Sequence, residues 1–138
     1  MLGDVRREGG DVTIVATGWM VGKALAAAES LAAEGIEAEV IDPRTLEPLD
    51  MATILSSVEK TGHLVLVDQA TRHASAASVI AAEVAEHGFG SLKAPIKQVA
   101  ALDATIPYSE PMEAYLLPDE AKIAGAVRQV VGSSPVAA

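Results

Sequence analysis

Apolar and polar positions along the chain follow two different periods, and each change of period marks a change of element. Residues 11–17 are rich in β-branched side chains and predict a strand. From Val21 the apolar residues repeat at helical spacing, until Gly35 ends the helix as its C-cap. A second strand follows at Ala38–Asp42. This spacing predicts a βαβ unit with parallel strands and a right-handed crossover.

The most continuous apolar run is residues 64–67, four apolar residues of which two are β-branched. Such a run predicts a strand buried on both faces, as in the middle of a parallel sheet. Asp68 ends the run, and residues 69–75 form a predicted polar turn. Ligands and partners of open α/β sheets are met just past the carboxyl ends of strands, so this turn is the first place where we expect a site.

Caps and breakers predict the remaining elements. Asp50 is placed to cap a helix that Gly62 ends, with a buried stripe of Met51, Ile54, Leu55 and Val58. Ser75 or Ser78 begins the next helix, which Gly88 ends and whose predicted inner residues are Val79, Ile80 and Val84. Residues 94–101 predict a short strand.

The C-terminal part of the chain is predicted as a loop, a helix and a tail. Residues 102–118 contain three prolines and predict an extended loop across the surface. Asp119 then caps a last helix, whose inner stripe is Ile123, Val127 and Val131. We interpret residues 1–10 as a linker remnant, 11–132 as one domain and 133–138 as a tail.

Composition narrows the possible functions. The 138 residues are 50% hydrophobic and only 3% aromatic, which suits helices packed closely on a sheet. The net charge of −9 argues against binding to nucleic acid or an anionic membrane and permits a basic protein partner. The absence of cysteine excludes disulfide and thiol chemistry and fits a cytoplasmic location.

Gly18-Trp19-Met20-Val21-Gly22 lies between a strand and a helix, where a dinucleotide fingerprint would lie. Its spacing differs from Gly-x-Gly-x-x-Gly, whose backbone N–H groups converge on a pyrophosphate. We therefore favour a tight turn over a nucleotide site. Trp19, the only tryptophan, is then a candidate interface anchor.

The polar turn offers a second candidate chemistry. Histidine is a common general base, so His73 could serve in that role, and Arg72 could bind a carboxylate or phosphate. A salt bridge from Arg72 to Asp68 or to another subunit is the simpler interpretation. A free-standing small-ligand enzyme or sensor using Arg72 and His73 stays open as an alternative. We find no complete catalytic set.

Several blocks of the sequence resemble a known family. These are residues 7–15 with Gly18, EVIDPRTLEPLD at 39–50, KTGHLVLVD at 60–68, APIK at 94–97, IPYS at 106–109 and Leu117-Pro118. The chain is similar over about residues 3–132 to the C-terminal domain of the transketolase group. It most resembles the beta subunit of thiamine-diphosphate-dependent 2-oxo acid dehydrogenases of the pyruvate, branched-chain and acetoin types.

The resemblance implies a three-layer α/β/α domain with a mostly parallel five-stranded sheet and one antiparallel edge strand. Four strands are predicted above, and the fifth is expected in residues 1–10 or 102–117. The resemblance places Met1 inside an interdomain linker, which favours an excised domain over a split gene. Residues 71–78 lack the Gly-Gly pair of many family members, which is loosely closer to the acetoin type.

The implied role is assembly and partner docking within an oxidoreductase that decarboxylates a 2-oxo acid and transfers the acyl group to a lipoyl group. The isolated domain is expected to be inactive. Thiamine diphosphate and a divalent metal are expected on other domains, since the chain lacks the Gly-Asp-Gly metal-binding signature. Expected partners are a second beta subunit, an alpha subunit and the basic docking module of the dihydrolipoyl acyltransferase core.

No catalytic, cofactor-binding or metal residue is therefore assigned to this chain. The predicted interface residues are Trp19, Arg44, Arg72, His73 and Asp103. Glu110 and Glu113 are further acidic candidates for meeting a basic partner.

Overall fold

A single sheet runs through the computed structural model, which describes residues 2–132. Its strands are β1 (Asp4–Arg7), β2 (Val12–Ala16), β3 (Ala38–Asp42), β4 (Leu64–Thr71) and β5 (Lys97–Ala101). Their order across the sheet is β1-β3-β2-β4-β5. β1 is antiparallel to β3, and the other neighbours are parallel. The predicted mostly parallel sheet with one antiparallel edge strand is confirmed.

Helices cover both faces of this sheet. They are α1 (Met20–Ala32), α2 (Met51–Thr61), α3 (Ala76–His87), α4 (Glu110–Leu116) and α5 (Glu120–Gly132). α1 and α5 pack on one face, and α2 and α3 pack on the other. The predicted three layers are therefore present. None of the helices in residues 2–132 has the length and apolar character needed to cross a bilayer.

The core depends on strands that are buried on both faces. In β2, Val12, Ile14 and Ala16 face α1 and α5, while Val15 faces α2 and α3. Every residue of β2 is buried. β4 alternates in the same way, which confirms the prediction made from its continuous apolar run.

Local capping signals were predicted well. The Asp50 side chain accepts a hydrogen bond from the backbone N–H of Thr53, at 3.2 Å, at the start of α2. Gly62 ends that helix in the left-handed conformation with φ 75°. Ser75 caps α3, and Asp119 accepts from the backbone N–H of Lys122 at the start of α5.

Two predictions of element bounds were wrong, and so was the inward position predicted for Val79. β4 continues through Asp68 to Thr71, where the sequence predicted a turn, because Thr71 pairs with Ala101 after an irregularity. Residues 102–118 contain α4. The Gly35 helix stop, by contrast, was predicted correctly: Gly35 is left-handed at φ 84°, and the N–H groups of Gly35 and Ile36 donate to the carbonyls of Ala32 and Leu31 at the end of α1. Val79 is 59% exposed, because it lies on the outer side of α3.

The fifth strand lies in residues 1–10, one of the two places left open. Arg7 fastens its end by donating from Nη1 to the carbonyl of Ala38 at 2.7 Å and from Nη2 to Glu37 at 2.8 Å. The backbone at Gly9 lies directly against the backbone of Ala38 and Glu39. A Cβ at this position would overlap those atoms, which explains the glycine. The domain boundaries at residues 10 and 132 stay a prediction, and residues 133–138 lie outside the described part.

A buried chain of hydroxyl groups joins β2 to α2. Thr13 Oγ1 lies 2.6 Å from Ser57 Oγ and 2.8 Å from Thr61 Oγ1. Thr61 in turn donates to the carbonyl of His63. The three hydroxyl groups are thus satisfied by one another, which burial requires.

Glu39 is the more deeply buried of the two buried carboxylates in the described strands, with 3% of its surface exposed against 9% for Asp68. Burial raises the pKa of Glu39, but hydrogen bonds from Lys60, Ser57 and other neighbours more than offset this and hold the pKa below its usual value of 4.5. The hydrogen bond to Glu39 raises the pKa of Lys60 above its usual 10.5. Lys60 also lies 3.3 Å from Glu8, so one ammonium group joins α2, β3 and the segment after β1.

We predict that Lys60→Met lowers the free energy of unfolding at neutral pH by about 1–2 kcal/mol, because Glu39 stays buried without its cation. The loss is smaller than for a fully buried pair, since the Lys60 side chain is 45% exposed. Urea denaturation measures it. Lys97→Met is the control, because Lys97 is exposed and makes no ion pair within residues 2–132.

The same pair predicts a pH dependence. The lowered pKa of Glu39 means that its contribution is present above 4.5 and is lost as pH falls through the folded-state value. The raised pKa of Lys60 means that its contribution is lost only as pH rises beyond 10.5. The difference between wild type and Lys60→Met should therefore be constant between about pH 6 and 9 and shrink in acid. A difference unchanged in strong acid contradicts this.

We predict that Asp50→Ala both weakens α2 and releases β1. Asp50 caps α2 and also accepts from the backbone N–H of Gly3 at 2.9 Å. The lost cap costs about 1 kcal/mol, and amide exchange in residues 3–7 should accelerate. Ser75→Ala removes a cap that has no bond to β1 and serves as the control. Equal exchange of residues 3–7 in both variants would refute the anchoring role.

Candidate subunit interface

All five predicted interface residues follow the ends of parallel strands. Trp19 follows β2, Arg44 follows β3, Arg72 and His73 follow β4, and Asp103 follows β5. Because β2, β3, β4 and β5 are parallel, these residues lie along one side of the sheet, where the carboxyl ends of these strands are. We call it the carboxyl edge. The tertiary structure thus collects residues that are separated by up to 84 positions in the sequence.

His73 and Asp103 meet at this edge. His73 Nδ1 lies 3.2 Å from Asp103 Oδ2 and joins the turn after β4 to the segment after β5. Their side chains are 78% and 70% exposed, so the pair is hydrated on most sides. An exposed pair of this kind contributes little to stability.

Arg72 does not pair with Asp68, contrary to one of the two partners predicted for it. Asp68 Oδ1 instead accepts from Thr17 Oγ1 and from the backbone N–H of Ala70, both at 3.2 Å. Arg72 is exposed, and it makes no ion pair with any residue in the described range 2–132. Its guanidinium is available to a partner.

Arg44 lies at the β1 end of the same edge. Its backbone is in the left-handed region, with φ 65°, which is uncommon for a residue other than glycine. Its N–H donates to Asp42 Oδ1 at 2.9 Å, and its guanidinium lies 3.6 Å from Asp4. The Arg44 side chain therefore lies beside the start of β1, and 44% of it remains exposed.

The turn at Gly18 has the geometry of a helix start without a phosphate cradle. Gly18 has φ 54°, and Trp19 takes the N-cap position with no side-chain cap. The N–H groups of Met20 and Val21 donate to the carbonyls of Thr17 and Gly18. These donors are therefore already used within the turn. Trp19 is 75% exposed, as an interface anchor would be.

The feature that sequence reasoning missed is α4, whose seven residues include none that is buried. Met112 and Tyr115 are 58% and 71% exposed on one helical face. Ile106 and Tyr108, in the segment before α4, are also more than half exposed. The available signal was the presence of large apolar residues in a proline-rich segment predicted to be surface loop.

Several hydrogen bonds hold the end of α4 in place. Lys122 Nζ donates to the carbonyls of Ala114, Tyr115 and Leu117 at 3.1, 2.9 and 2.5 Å. These carbonyls lie at or just beyond the end of α4, where a cation is favourable. The backbone N–H of Leu102 also donates to the carbonyl of Leu116. A helix this short is not stable by itself, so these bonds keep its apolar face presented to solvent.

An open cleft of about 600 Å³ separates α4 from Trp19. Its charged lining is mainly acidic, with Glu110, Glu113 and Asp119, while its Lys23 already pairs with Glu120. A second open cleft, of about 700 Å³, lies along α3 beside Leu46, His73 and Val79. Within the described residues, His, Asp and Glu side chains do not gather in a group of three that could hold a metal.

Comparison with known proteins agrees with this domain architecture. The sequence profile of the family described as Transketolase, C-terminal domain matches residues 2–123. The chain is 48% identical over 128 residues to the acetoin:2,6-dichlorophenolindophenol oxidoreductase subunit beta of Cupriavidus necator, covering 93% of this chain and 38% of that protein. It is 42% identical over 128 residues to the pyruvate dehydrogenase E1 component subunit beta of Bacillus subtilis, covering 93% and 39%.

A solved structure described as a split gene transketolase, inactive beta4 tetramer, has the same fold. Its TM-score is 0.83 at 32% identity, and the match covers 94% of this chain and 42% of that one. The chain thus spans about two fifths of the length of the relatives it matches. The predicted resemblance to beta subunits of the acetoin and pyruvate types is confirmed, and the chain belongs to the transketolase C-terminal domain family.

Proposed function

We propose that this domain assembles the subunits of a 2-oxo acid dehydrogenase decarboxylating component and carries none of its catalytic groups. The observation that carries the proposal is the carboxyl edge, where α4 buries no residue and Trp19, Tyr108 and Tyr115 are mostly exposed. A surface of this composition is typical of a protein interface core, in which aromatic residues and methionine are enriched.

The proposed partners are a second beta subunit, an alpha subunit and the basic docking module of an acyltransferase core. The relatives' designations as subunits beta and as an E1 component support a role within a larger enzyme. The net charge of −9 and the exposed carboxylates of Asp103, Glu110 and Glu113 suit a basic partner, since opposite potentials attract and orient the two surfaces.

Thiamine diphosphate and a divalent metal are proposed to bind to other domains of the parent enzyme. Residues 2–132 do not fit such a site, because they bring no set of three acidic or imidazole ligands together. The first-turn amides of α1 are used within their own turn, so a diphosphate has no cradle at Gly18. No step of decarboxylation is therefore assigned to these side chains.

A free-standing enzyme or sensor based on Arg72 and His73 has less support. The nearest cleft is open and lined mostly by apolar residues, and the His73–Asp103 pair lies in water. A small-ligand site is normally a concave pocket in which polar groups converge. Arg72 and His73 are better suited to the rim of a protein contact.

The proposal predicts that titrating thiamine diphosphate with Mg²⁺ into the 138-residue chain gives neither binding heat nor a rise in melting temperature. A chimera in which this chain replaces the matched part of the Cupriavidus necator subunit beta should form a stable complex with its alpha subunit. The same subunit truncated before the domain should form none. Light scattering measures both complexes. Cofactor binding by the isolated chain, or normal assembly of the truncated subunit, would contradict the proposal.

A further inference from the structure

Residues 3–9, which contain β1, form the part of the sheet that lies outside the hydrophobic core, and we call them the strap. No residue of β1 is buried, whereas every residue of β2 is. None of residues 3–9 belongs to either apolar cluster of the described chain. Val5 is the one large apolar side chain of the strap, and it is 36% exposed. Detaching the strap therefore brings little apolar surface into water.

Two polar contacts hold the start of the strap. The backbone N–H of Gly3 donates to Asp50 Oδ2 at 2.9 Å, beside the first turn of α2. The carboxylate of Asp4 lies 3.6 Å from the guanidinium of Arg44, and both side chains are partly exposed. The pairing of β1 with β3 is short, and its register is irregular before Arg7. A short edge strand without apolar cover adds little stability of its own.

Two ion pairs hold the other end of the strap. Arg7 Nη2 lies 2.8 Å from Glu37, and its Nη1 donates to the carbonyl of Ala38 at 2.7 Å. Glu8 lies 3.3 Å from Lys60, near the end of α2. Water reaches these charged groups, and exposed ion pairs are weak and are screened by salt. Polar contacts thus close the strap, and they can break without opening the core.

A two-residue hinge joins the strap to β2. Gly9 and Gly10 follow the strand, and a Cβ at Gly10 would meet no other atom within 4 Å. Asp11 is fixed again, because its N–H donates to the carbonyl of Glu37 at 2.9 Å and its Oδ2 accepts from the N–H of Glu37 at 2.7 Å. Motion of the strap therefore requires changes of backbone angle only at residues 9 and 10. Hinges of this kind consist of a few residues between fixed elements.

We propose that the strap opens and closes as one unit about Gly9 and Gly10, while β2, β3, β4, β5 and their helices stay folded. Opening detaches the entering polypeptide from the sheet and uncovers the outer edge of β3. Where a further region precedes Gly3, the strap is the joint at which that region and this domain can move apart. This device does not depend on the proposed function, because every contact that forms it lies within residues 3–60.

Hydrogen exchange of the 138-residue chain, in urea below the unfolding transition, tests this motion. The amides of residues 4–7 should exchange at least about a hundredfold faster than those of β2, with a weaker dependence on urea, because opening exposes little surface. They should still exchange more slowly than in an unstructured peptide of the same sequence. Rates and urea dependence equal to those of β2 overturn the inference, and so does exchange as fast as in the peptide.

A core variant separates opening of the strap from unfolding of the whole domain. Ile123 is fully buried on α5. Ile123→Val should accelerate the exchange of β2 about fivefold, since it destabilises the folded core. It should change the exchange of residues 4–7 less than about twofold, because the core is equally folded with the strap open or closed. Acceleration of both by the same factor means that the strap opens only with the whole domain, and overturns the inference.

Arg7→Met tests the polar attachment, with Arg6→Met as the matched control. Arg6 is the neighbouring residue, and its ion pair with Asp4, at 3.7 Å, lies within the strap. Arg7→Met should accelerate exchange of residues 4–7 at least about fivefold, and Arg6→Met less than about twofold. Sodium chloride at about 1 M should accelerate it at least about threefold in the wild type, because screening weakens the ion pairs. Equal effects of the two variants, or exchange that is insensitive to salt, would overturn the inference.

Discussion

The whole molecule depends on burying the central strands from both sides. All five residues of β2 are buried, and so are the first five of β4. Backbone groups in such strands must be satisfied by neighbouring strands, and side chains on both faces need an apolar cover. Two helices on each face provide that cover. Only the strand ends and the outer sides of the helices remain available for contacts with other molecules.

This constraint explains why several polar residues and the exposed Trp19 lie at one edge of the sheet. The parallel strands β2, β3, β4 and β5 deliver Trp19, Arg44, His73 and Asp103 to the same side. α4 extends that side with a face that nothing within residues 2–132 covers. Met112 and Tyr115 are exposed together on one face of α4, and exposed apolar patches often mark a contact surface. The proposed assembly role is consistent with this exposure.

Two polar exceptions within the layers have a structural explanation. Thr13 bonds to Ser57 and Thr61 where α2 crosses β2, and Glu39 bonds to Lys60 at the side of β3. Each group is satisfied, so neither leaves a buried donor or acceptor free. Such bonds set the position of α2 on the sheet more narrowly than apolar contacts do, because they depend on distance and direction. They also tie the segment after β1 to the domain, and thereby fix where the chain enters.

The sequence by itself determined four of the five strands, four of the five α-helices, the caps at Asp50, Ser75 and Asp119, and the family. These features follow from the spacing of apolar residues and from capping residues a few positions apart. A short stretch of sequence is therefore enough to predict them. Tertiary structure decided the pairing of β1, the continuation of β4 to Thr71 and the outward position of Val79. Thr13 and Ser57 are 44 residues apart, and the Trp19 cleft joins α1 to α4. Contacts at such separations depend on how helices and strands are placed in space, so no local pattern reveals them. The exposure of α4 is of the same kind: its apolar residues can be read from the sequence, but only the folded chain shows that nothing in residues 2–132 covers them.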